Sequence, residues 1–205
     1  MTISLTNTGK RFNREWIFRH CSYEFQQGKK YAITGPNGSG KSTLLQVIAG
    51  ATLHNEGTIE YRDGQQATEE GRHYTYLSIA APYLELIEEM TAKEMLEFHS
   101  KFKPLGSSLD IAGILKIVGL EKATNKQIRY FSSGMKQRLK LAQAFFSDTP
   151  VLLLDEPTTN LDADGIALYL SLISNYTKDR LVIVSSNVKQ EYDFCEEVIE
   201  INNYK

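Results

Sequence analysis

Gly35-Pro-Asn-Gly-Ser-Gly-Lys-Ser42 is the stretch that decides the fold, and it lies between an apolar run and a helical pattern. The run Lys29–Thr34 predicts a buried strand, while Leu44–Ala49 supplies the apolar residues of a helix that Gly50 ends. Glycines let such a loop curl, so that its backbone N–H groups converge on phosphate oxygens at the positive end of the helix. The stretch matches the whole GxxxxGK[ST] pattern of a phosphate loop, in the strand-to-helix setting that the pattern requires.

The loop predicts a site for ATP and Mg²⁺. We expect Lys41 to neutralise charge on the β- and γ-phosphates and the Ser42 hydroxyl to bind the metal. The remaining nucleotide-binding residues expected in the loop are Gly35, Pro36, Asn37, Gly38, Ser39, Gly40 and Thr43.

An acidic pair follows a second apolar run, Val151–Leu154. This run predicts a buried strand that would carry Asp155 to the carboxyl edge of the sheet, where open α/β folds bind ligands. We expect Asp155 to hold Mg²⁺ through water and Glu156 to act as general base for the attacking water. A solvated strand end is the alternative interpretation of the pair, and the phosphate loop upstream makes it the weaker one.

The first part of the chain reads mainly as strands. Periodicity predicts them at Ile3–Thr6, Trp16–Phe25, Thr58–Tyr61 and Tyr74–Ile79, with a turn at Arg62–Gly64. These runs precede and flank the phosphate loop. We expect an antiparallel β portion at the N-terminus.

The middle third reads as helical. Patterns run over about 91–103 and about 108–118, with Thr91 and Ser108 as plausible caps and Glu94 completing a capping box after Thr91. We expect a small helical subdomain at about 82–134, inserted into a core of 1–81 and 135–205.

The core resumes with helices at about Gly134–Phe146 and Asp162–Tyr176 and strands at Leu181–Ser185 and Val198–Ile201. Alternating strands and helices predict an α/β fold with a parallel sheet. The chain is therefore expected to be a single P-loop domain.

Composition limits the class of protein. Of 205 residues, 41% are hydrophobic and 23% charged, as in ordinary globular proteins, and the net charge of −2 argues against a nucleic-acid partner. No apolar run is long enough to span a bilayer, and no secretory signal is visible. Cys21 and Cys195 are isolated and the four histidines form no ligand pair, so we expect free thiols, a reducing compartment and no structural metal.

These motifs, in this order, resemble the nucleotide-binding domain of ABC transporters, and the likeness covers nearly all of the chain. Phe131–Met135 stands where that family carries Leu-Ser-Gly-Gly-Gln, and Thr159–Asp162 is similar to its D-loop. Phe12 lies where an aromatic residue of the family stacks on adenine. The resemblance implies an ATPase subunit that drives transport by a separate transmembrane permease subunit, held by that partner at the cytoplasmic face of the membrane.

The signature segment has a physical rationale. Ser132 is expected to cap the helix that follows, and a helix N-terminus with small residues makes an anion site. In the family this site, here Ser132, Ser133 and Gly134, reaches the γ-phosphate held by another subunit. The resemblance therefore implies a homodimer or a paired ABC ATPase subunit, whereas an ordinary capped core helix is the alternative.

Three positions depart from the family pattern. Ala80 and Ala81 stand where a glutamine is usual, Asn187 replaces the switch histidine, and Ser133 replaces the first signature glycine. Asparagine can hydrogen-bond a phosphate, but it carries no charge near pH 7. We expect Asn187 to retain a catalytic role and the protein to be an active but slow ATPase. One alternative is a regulatory module that dimerises when it binds ATP and hardly hydrolyses it. Another, an ABC ATPase that acts on ribosomes or DNA, is disfavoured because the chain shows no fused second cassette or basic surface.

The segment Tyr83–Met90 lies where the family docks on its membrane subunit. Leu84, Leu86 and Ile87 among glutamates could form such a patch and attract a basic partner segment. Equally, Leu84 and Ile87 could fold into the core of the helical subdomain.

Overall fold

The structure is a computed structural model that describes residues 1–69, 71–106 and 109–205. These residues divide into two compact units. The sheet unit comprises Met1–Ile79, Pro150–Glu156 and Asp179–Lys205, and the helical unit comprises Ala80–Thr149 and Pro157–Lys178. The subdomain limits expected from the sequence stay a prediction.

Strands and helices are numbered along the chain. The strands are β1 (Thr2–Phe12), β2 (Glu15–Gln26), β3 (Lys30–Thr34), β4 (Glu56–Asp63), β5 (Gln66–Ala67), β6 (Leu77–Ala80), β7 (Val151–Asp155), β8 (Leu181–Ser185) and β9 (Glu197–Glu200). The α-helices are α1 (Lys41–Ile48), α2 (Ala92–Ser100), α3 (Ile111–Ile117), α4 (Ser133–Phe146) and α5 (Ala163–Tyr176). The described 3-10 helices are His73–Tyr76, Glu121–Ala123, Ile128–Tyr130, Lys189–Glu191 and Ile201–Tyr204.

Two sheets form the framework. One has the order β2-β1-β4-β5 and its pairs are antiparallel, and the other has the order β6-β7-β8-β3-β9, with β7, β8, β3 and β9 parallel to one another. All five residues of both β7 and β8 are buried, as expected for inner strands of a parallel sheet. The predicted α/β fold with an N-terminal antiparallel portion is confirmed.

β1 is longer than the predicted strand Ile3–Thr6. It pairs with β2 on one side and β4 on the other, and its register shifts at several points between Leu5 and Arg11. Asn7 has a φ of +49° within this stretch. Such irregularities interrupt the period-two alternation by which a strand is recognised in sequence, so the pattern ended early.

The predicted strand Tyr74–Ile79 is wrong in its first half, because residues His73–Tyr76 form a 3-10 helix. The Thr75 N–H donates to the Arg72 carbonyl at 3.0 Å, which closes a tight turn. The His73 ring also stacks on Tyr61 with ring centroids 4.7 Å apart. This tertiary contact holds the segment out of the sheet until Leu77.

Side-chain caps set where the helices of the helical unit begin. Thr91 and Glu94 form the predicted capping box of α2, and Ser132 caps α4 as predicted. The predicted cap Ser108 lies outside the described residues; α3 begins after Asp110, whose carboxylate accepts from the Gly113 N–H at 2.8 Å. None of the helices in the described part of the chain has both the length and the apolar character needed to cross a bilayer.

Candidate active site

The phosphate loop runs from the end of β3 to the start of α1 and depends on glycine at two close contacts. Gly35 and Gly40 have φ angles of +143° and +103°, where side chains are strained. A Cβ atom at Gly35 would lie 2.6 Å from Ile201, and one at Gly40 would lie 2.4 Å from Ile17. The glycines therefore give the loop both its curvature and its close packing.

Lys41 is held inside the loop. The residue is buried, and its Nζ donates to the carbonyl oxygens of Gly35 and Pro36 at 2.8 and 3.1 Å. The loop backbone therefore fixes the ammonium group where phosphate oxygens bound by the loop would meet it.

Asp155 ends β7 and has an unsatisfied oxygen. The residue is 1% exposed, and its Oδ1 has no hydrogen-bond partner among the described residues. A buried carboxylate oxygen without a donor is costly, and carboxylates are preferred ligands of hard divalent cations. The site therefore fits a magnesium ion at this oxygen.

Glu156 follows Asp155 in a strained backbone conformation. Its φ is +43°, and its N–H donates to the Ser185 carbonyl of β8 at 2.9 Å. Residues other than glycine rarely adopt this conformation, and such strain often occurs at functional sites. The turn brings Glu156 into the lining of an open pocket.

This pocket has a volume of about 210 Å³ and unites the loop with the predicted base. Its lining consists of Ile17, Asn37, Gly38, Gly40, Lys41, Ser42, Thr43 and Glu156. The sequence did not predict Ile17 as a site residue. Its place in the pocket follows only from the packing of its side chain in β2 against Gly40. A larger pocket of about 480 Å³, beside Tyr61 and His73, contains none of the predicted site residues.

Phe12 and Asn187 have different relations to this pocket. Phe12 ends β1, is 49% exposed and lies outside the pocket lining. Asn187 contacts the loop directly: its Oδ1 accepts from the Gly35 N–H at 3.3 Å and its Nδ2 donates to Asn37 Oδ1 at 2.9 Å. The structure thus places Asn187, but not Phe12, against the phosphate loop.

Ala80 and Ala81 are fully buried. Their methyl side chains have no polar atom that could contact a metal ion or a water molecule. The glutamine of the family therefore has no chemical substitute at these two positions.

The signature residues lie in the helical unit at the N-terminus of α4. Ser132 Oγ accepts from the Met135 N–H at 3.2 Å. A separate cavity of about 460 Å³ is lined by Gly119, Leu120, Ser132, Ser133, Gly134, Met135, Arg138, Asn160 and Asp162. The cavity thus combines a helix N-terminus, which suits an anion, with the Arg138–Asp162 ion pair.

Arg138 and Asn160 are residues of this cavity that received no role from the sequence. Arg138 Nη2 lies 3.3 Å from Asp162 Oδ1, and the Gly165 N–H and Arg138 lower the pKa of that carboxylate. The Asn160 carbonyl oxygen would lie 3.1 Å from a Cβ atom on Gly134. Asn160 lies inside the segment Thr159–Asp162 that resembles the D-loop, and Arg138 lies three residues after the signature segment Phe131–Met135; these positions were the signal that could have found them.

The acidic segment near Tyr83–Met90 is paired within its own unit. Glu88 forms an ion pair with Lys136, which lowers the pKa of Glu88, and Glu89 lies 3.7 Å from Arg129. Leu84 and Leu86 are half-buried, whereas Ile87 is 39% exposed. Glu88 and Glu89 therefore already have basic partners, and docking of this segment on a membrane subunit stays a prediction.

Comparison with known proteins identifies the family of the chain. Residues 18–159 match the family model described as ABC transporter. An uncharacterised ABC transporter ATP-binding protein of Bacillus subtilis, YybJ, is 32% identical over 203 residues, which cover 98% of this chain and 93% of YybJ. The cytochrome c biogenesis ATP-binding export protein CcmA of Brucella abortus is 30% identical over 189 residues, covering 92% of this chain and 86% of CcmA.

Solved structures support the fold. A dimeric bacterial ABC transporter cassette matches with a TM-score of 0.81 at 23% identity, over 97% of this chain and 94% of that one. The fold and the phosphate loop define a P-loop nucleotide-binding protein. The family match and the identity to YybJ go further: the chain belongs to the ABC transporter family, as one of its ATP-binding subunits.

Proposed function

We propose that the protein hydrolyses Mg-ATP and couples ATP-driven dimerisation to transport by a separate transmembrane permease subunit, which holds it at the cytoplasmic face of the membrane. One observation carries the hydrolysis: a single pocket unites the phosphate loop, Lys41 and Glu156. The unusual backbone conformation of Glu156 supports a functional role for this residue.

Three residues of the pocket, together with Asp155 beside it, have defined roles in this proposal. Lys41 binds the β- and γ-phosphates, and Ser42 and Asp155 hold Mg²⁺, with the unsatisfied Asp155 Oδ1 in support. The bound metal supplies charge neutralisation for the phosphates. Glu156 accepts a proton from the attacking water.

Two cassettes complete the site in this proposal. The cavity at Ser132, Ser133 and Gly134 would bind the γ-phosphate of a nucleotide whose other phosphates lie on the phosphate loop of a second cassette. The helix N-terminus supports an anion there. The simplest assembly is a homodimer, in which each subunit supplies one loop and one signature to each site; a paired ABC ATPase subunit would serve equally.

Turnover is proposed to be slow. Ala80 and Ala81 have no polar side-chain atom, and the amide of Asn187 cannot take up a proton near pH 7. The loss of one transition-state contact commonly costs about 3 kcal/mol, or roughly a hundredfold in rate. These same substitutions favour the second candidate, a nucleotide-gated module that dimerises with ATP and cleaves hardly any of it.

Steady-state hydrolysis at rising protein concentration tests the proposal. We expect the rate to rise faster than linearly with concentration, since two cassettes make the site, and Glu156→Gln to bind Mg-ATP without cleaving it. Glu121→Gln, at an exposed position of the helical unit, is the matched control and should behave as wild type. Mg-ATP binding with dimerisation but no wild-type turnover would favour the regulatory module instead.

A further inference from the structure

Lys10 and Phe12 lie two residues apart at the end of β1, and their side chains are in contact. Their exposures differ: Lys10 is 9% exposed and Phe12 is 49% exposed. The Nζ of Lys10 lies 4.7 Å from the centroid of the Phe12 ring. This distance falls within the roughly 6 Å over which a cation is attracted to an aromatic face.

The backbone fixes the ammonium group. Lys10 Nζ donates to the Leu53 carbonyl oxygen at 2.8 Å. The segment around Leu53 is itself fastened to β1, because the Asn55 N–H donates to the Gly9 carbonyl at 2.7 Å and Asn55 Oδ1 accepts from the Arg11 N–H at 2.9 Å. Lys10 therefore approaches Phe12 from an anchored position rather than from a freely rotating surface side chain.

The Phe12 ring lies at the end of its strand. Phe12 is the last residue of β1 and pairs with Glu15, next to a turn in which Asn13 has a φ of +54°. Among the described residues, Lys10 is the one charged or aromatic side chain in stacking contact with the Phe12 ring. Half of Phe12 stays exposed, so the ring keeps accessible surface for a second planar group.

We propose that Lys10 is a positioning residue for nucleotide recognition: its ammonium group holds one face of the Phe12 ring and thereby presents the other face to the base of ATP. This rests on the proposed function, and on the expectation from the family resemblance that Phe12 stacks on adenine. Two aromatic faces repel when they stack squarely, because both carry negative charge density. An ammonium group behind one ring reduces that repulsion, so Lys10 improves stacking as well as orientation.

The test compares a ligand that has a base with one that has none. Affinities for Mg-ATP and for magnesium tripolyphosphate are measured calorimetrically in wild type, Lys10→Met, Phe12→Ala and the double variant. We expect Lys10→Met to weaken Mg-ATP binding about two- to tenfold and to leave tripolyphosphate binding within twofold. In the Phe12→Ala background, Lys10→Met should have almost no further effect, because the two residues act as one unit.

Lys10→Arg is the conservative variant. It keeps the cation and a donor for Leu53, so it should restore most of the affinity for Mg-ATP and remain informative if Lys10→Met does not fold. The role of Lys10 would be overturned if Lys10→Met weakened the binding of both ligands equally, or if the losses of affinity were additive in the double variant. Weaker Mg-ATP binding in Phe12→Ala alone, with Lys10→Met unchanged, would overturn it as well. If neither variant changes Mg-ATP affinity, the stacking role of Phe12 fails too, while wild-type binding of both ligands would still support the phosphate site.

Discussion

Asn187 contacts the phosphate loop through both atoms of its amide group, accepting from Gly35 and donating to Asn37. A histidine at this position could still donate to Asn37 Oδ1 and could also carry a proton near pH 7. We therefore expect Asn187→His to raise the steady-state rate of phosphate release at saturating Mg-ATP by about tenfold or more. Asn187→Ala, which removes both contacts, should lower it; an unchanged or reduced rate in the histidine variant would refute the view that Asn187 limits turnover.

Single residues show what the sequence could and could not predict. A local motif identified Lys41 and the loop glycines, because the loop conformation depends on residues that are neighbours in sequence. The contact between Gly35 and Asn187 joins residues 152 positions apart, and the unsatisfied Asp155 Oδ1 depends on its whole surroundings. Neither could be derived from periodicity or spacing, and the same holds for the strained φ of Glu156.

At the scale of secondary-structure elements, His99 joins α2 to the residue that follows α4. Its Nε2 lies 2.8 Å from Ser147 Oγ, which donates to the Gln143 carbonyl at 2.6 Å and therefore accepts from the imidazole N–H. Burial, and then the charge of Lys103, lower the pKa of His99 to about 4. The folded protein thus keeps this histidine neutral at pH values where an unfolded chain would protonate it.

This pKa shift predicts a pH dependence of stability. Between about pH 6.5 and pH 4 the unfolded state binds more protons at His99, so the free energy of unfolding falls as the pH falls. The contribution of neutral His99 to the free energy of unfolding is present in full above pH 6.5. It amounts to about 2 kcal/mol or less after screening by solvent. Urea unfolding of wild type and His99→Gln from pH 7.5 to pH 4 should give curves that converge in acid; curves that stay parallel would contradict this role.

The bounds of strands and helices could be predicted where neighbouring residues in the sequence determine them. The buried runs located both ends of β8 and placed β7 to within one residue, and capping side chains located the starts of α2 and α4. Two errors have a different cause: the predicted strand Tyr74–Ile79 began too early, and the strand predicted at Ile3–Thr6 was shorter than β1. There, the stacking of His73 on Tyr61 and pairing on both sides of β1 override the local pattern, and both depend on distant residues.

At the scale of the whole molecule, the buried carboxylate of Asp155 links stability to function. A buried charge without full hydrogen bonding destabilises the fold unless a cation compensates it. Functional sites commonly reduce stability in this way. Asp155→Asn keeps the shape of the side chain and removes the charge, so we expect the ligand-free variant to be at least as stable as wild type, although it loses a metal ligand.

Thermal unfolding with and without nucleotide measures both effects. A ligand at a hundred times its Kd stabilises the native state by about 2.7 kcal/mol, which raises the Tm of a chain of this size by roughly 5–10 °C. Wild type and Glu156→Gln should show this rise with Mg-ATP and a smaller rise with ATP in EDTA, because only the first supplies the metal. In Asp155→Asn the two rises should become equal. If the magnesium-dependent part of the Tm shift survives in Asp155→Asn, the binding of Mg²⁺ does not depend on Asp155 and the proposed metal site is wrong. If instead the variant loses all stabilisation by nucleotide, Asp155 supports the phosphate loop itself.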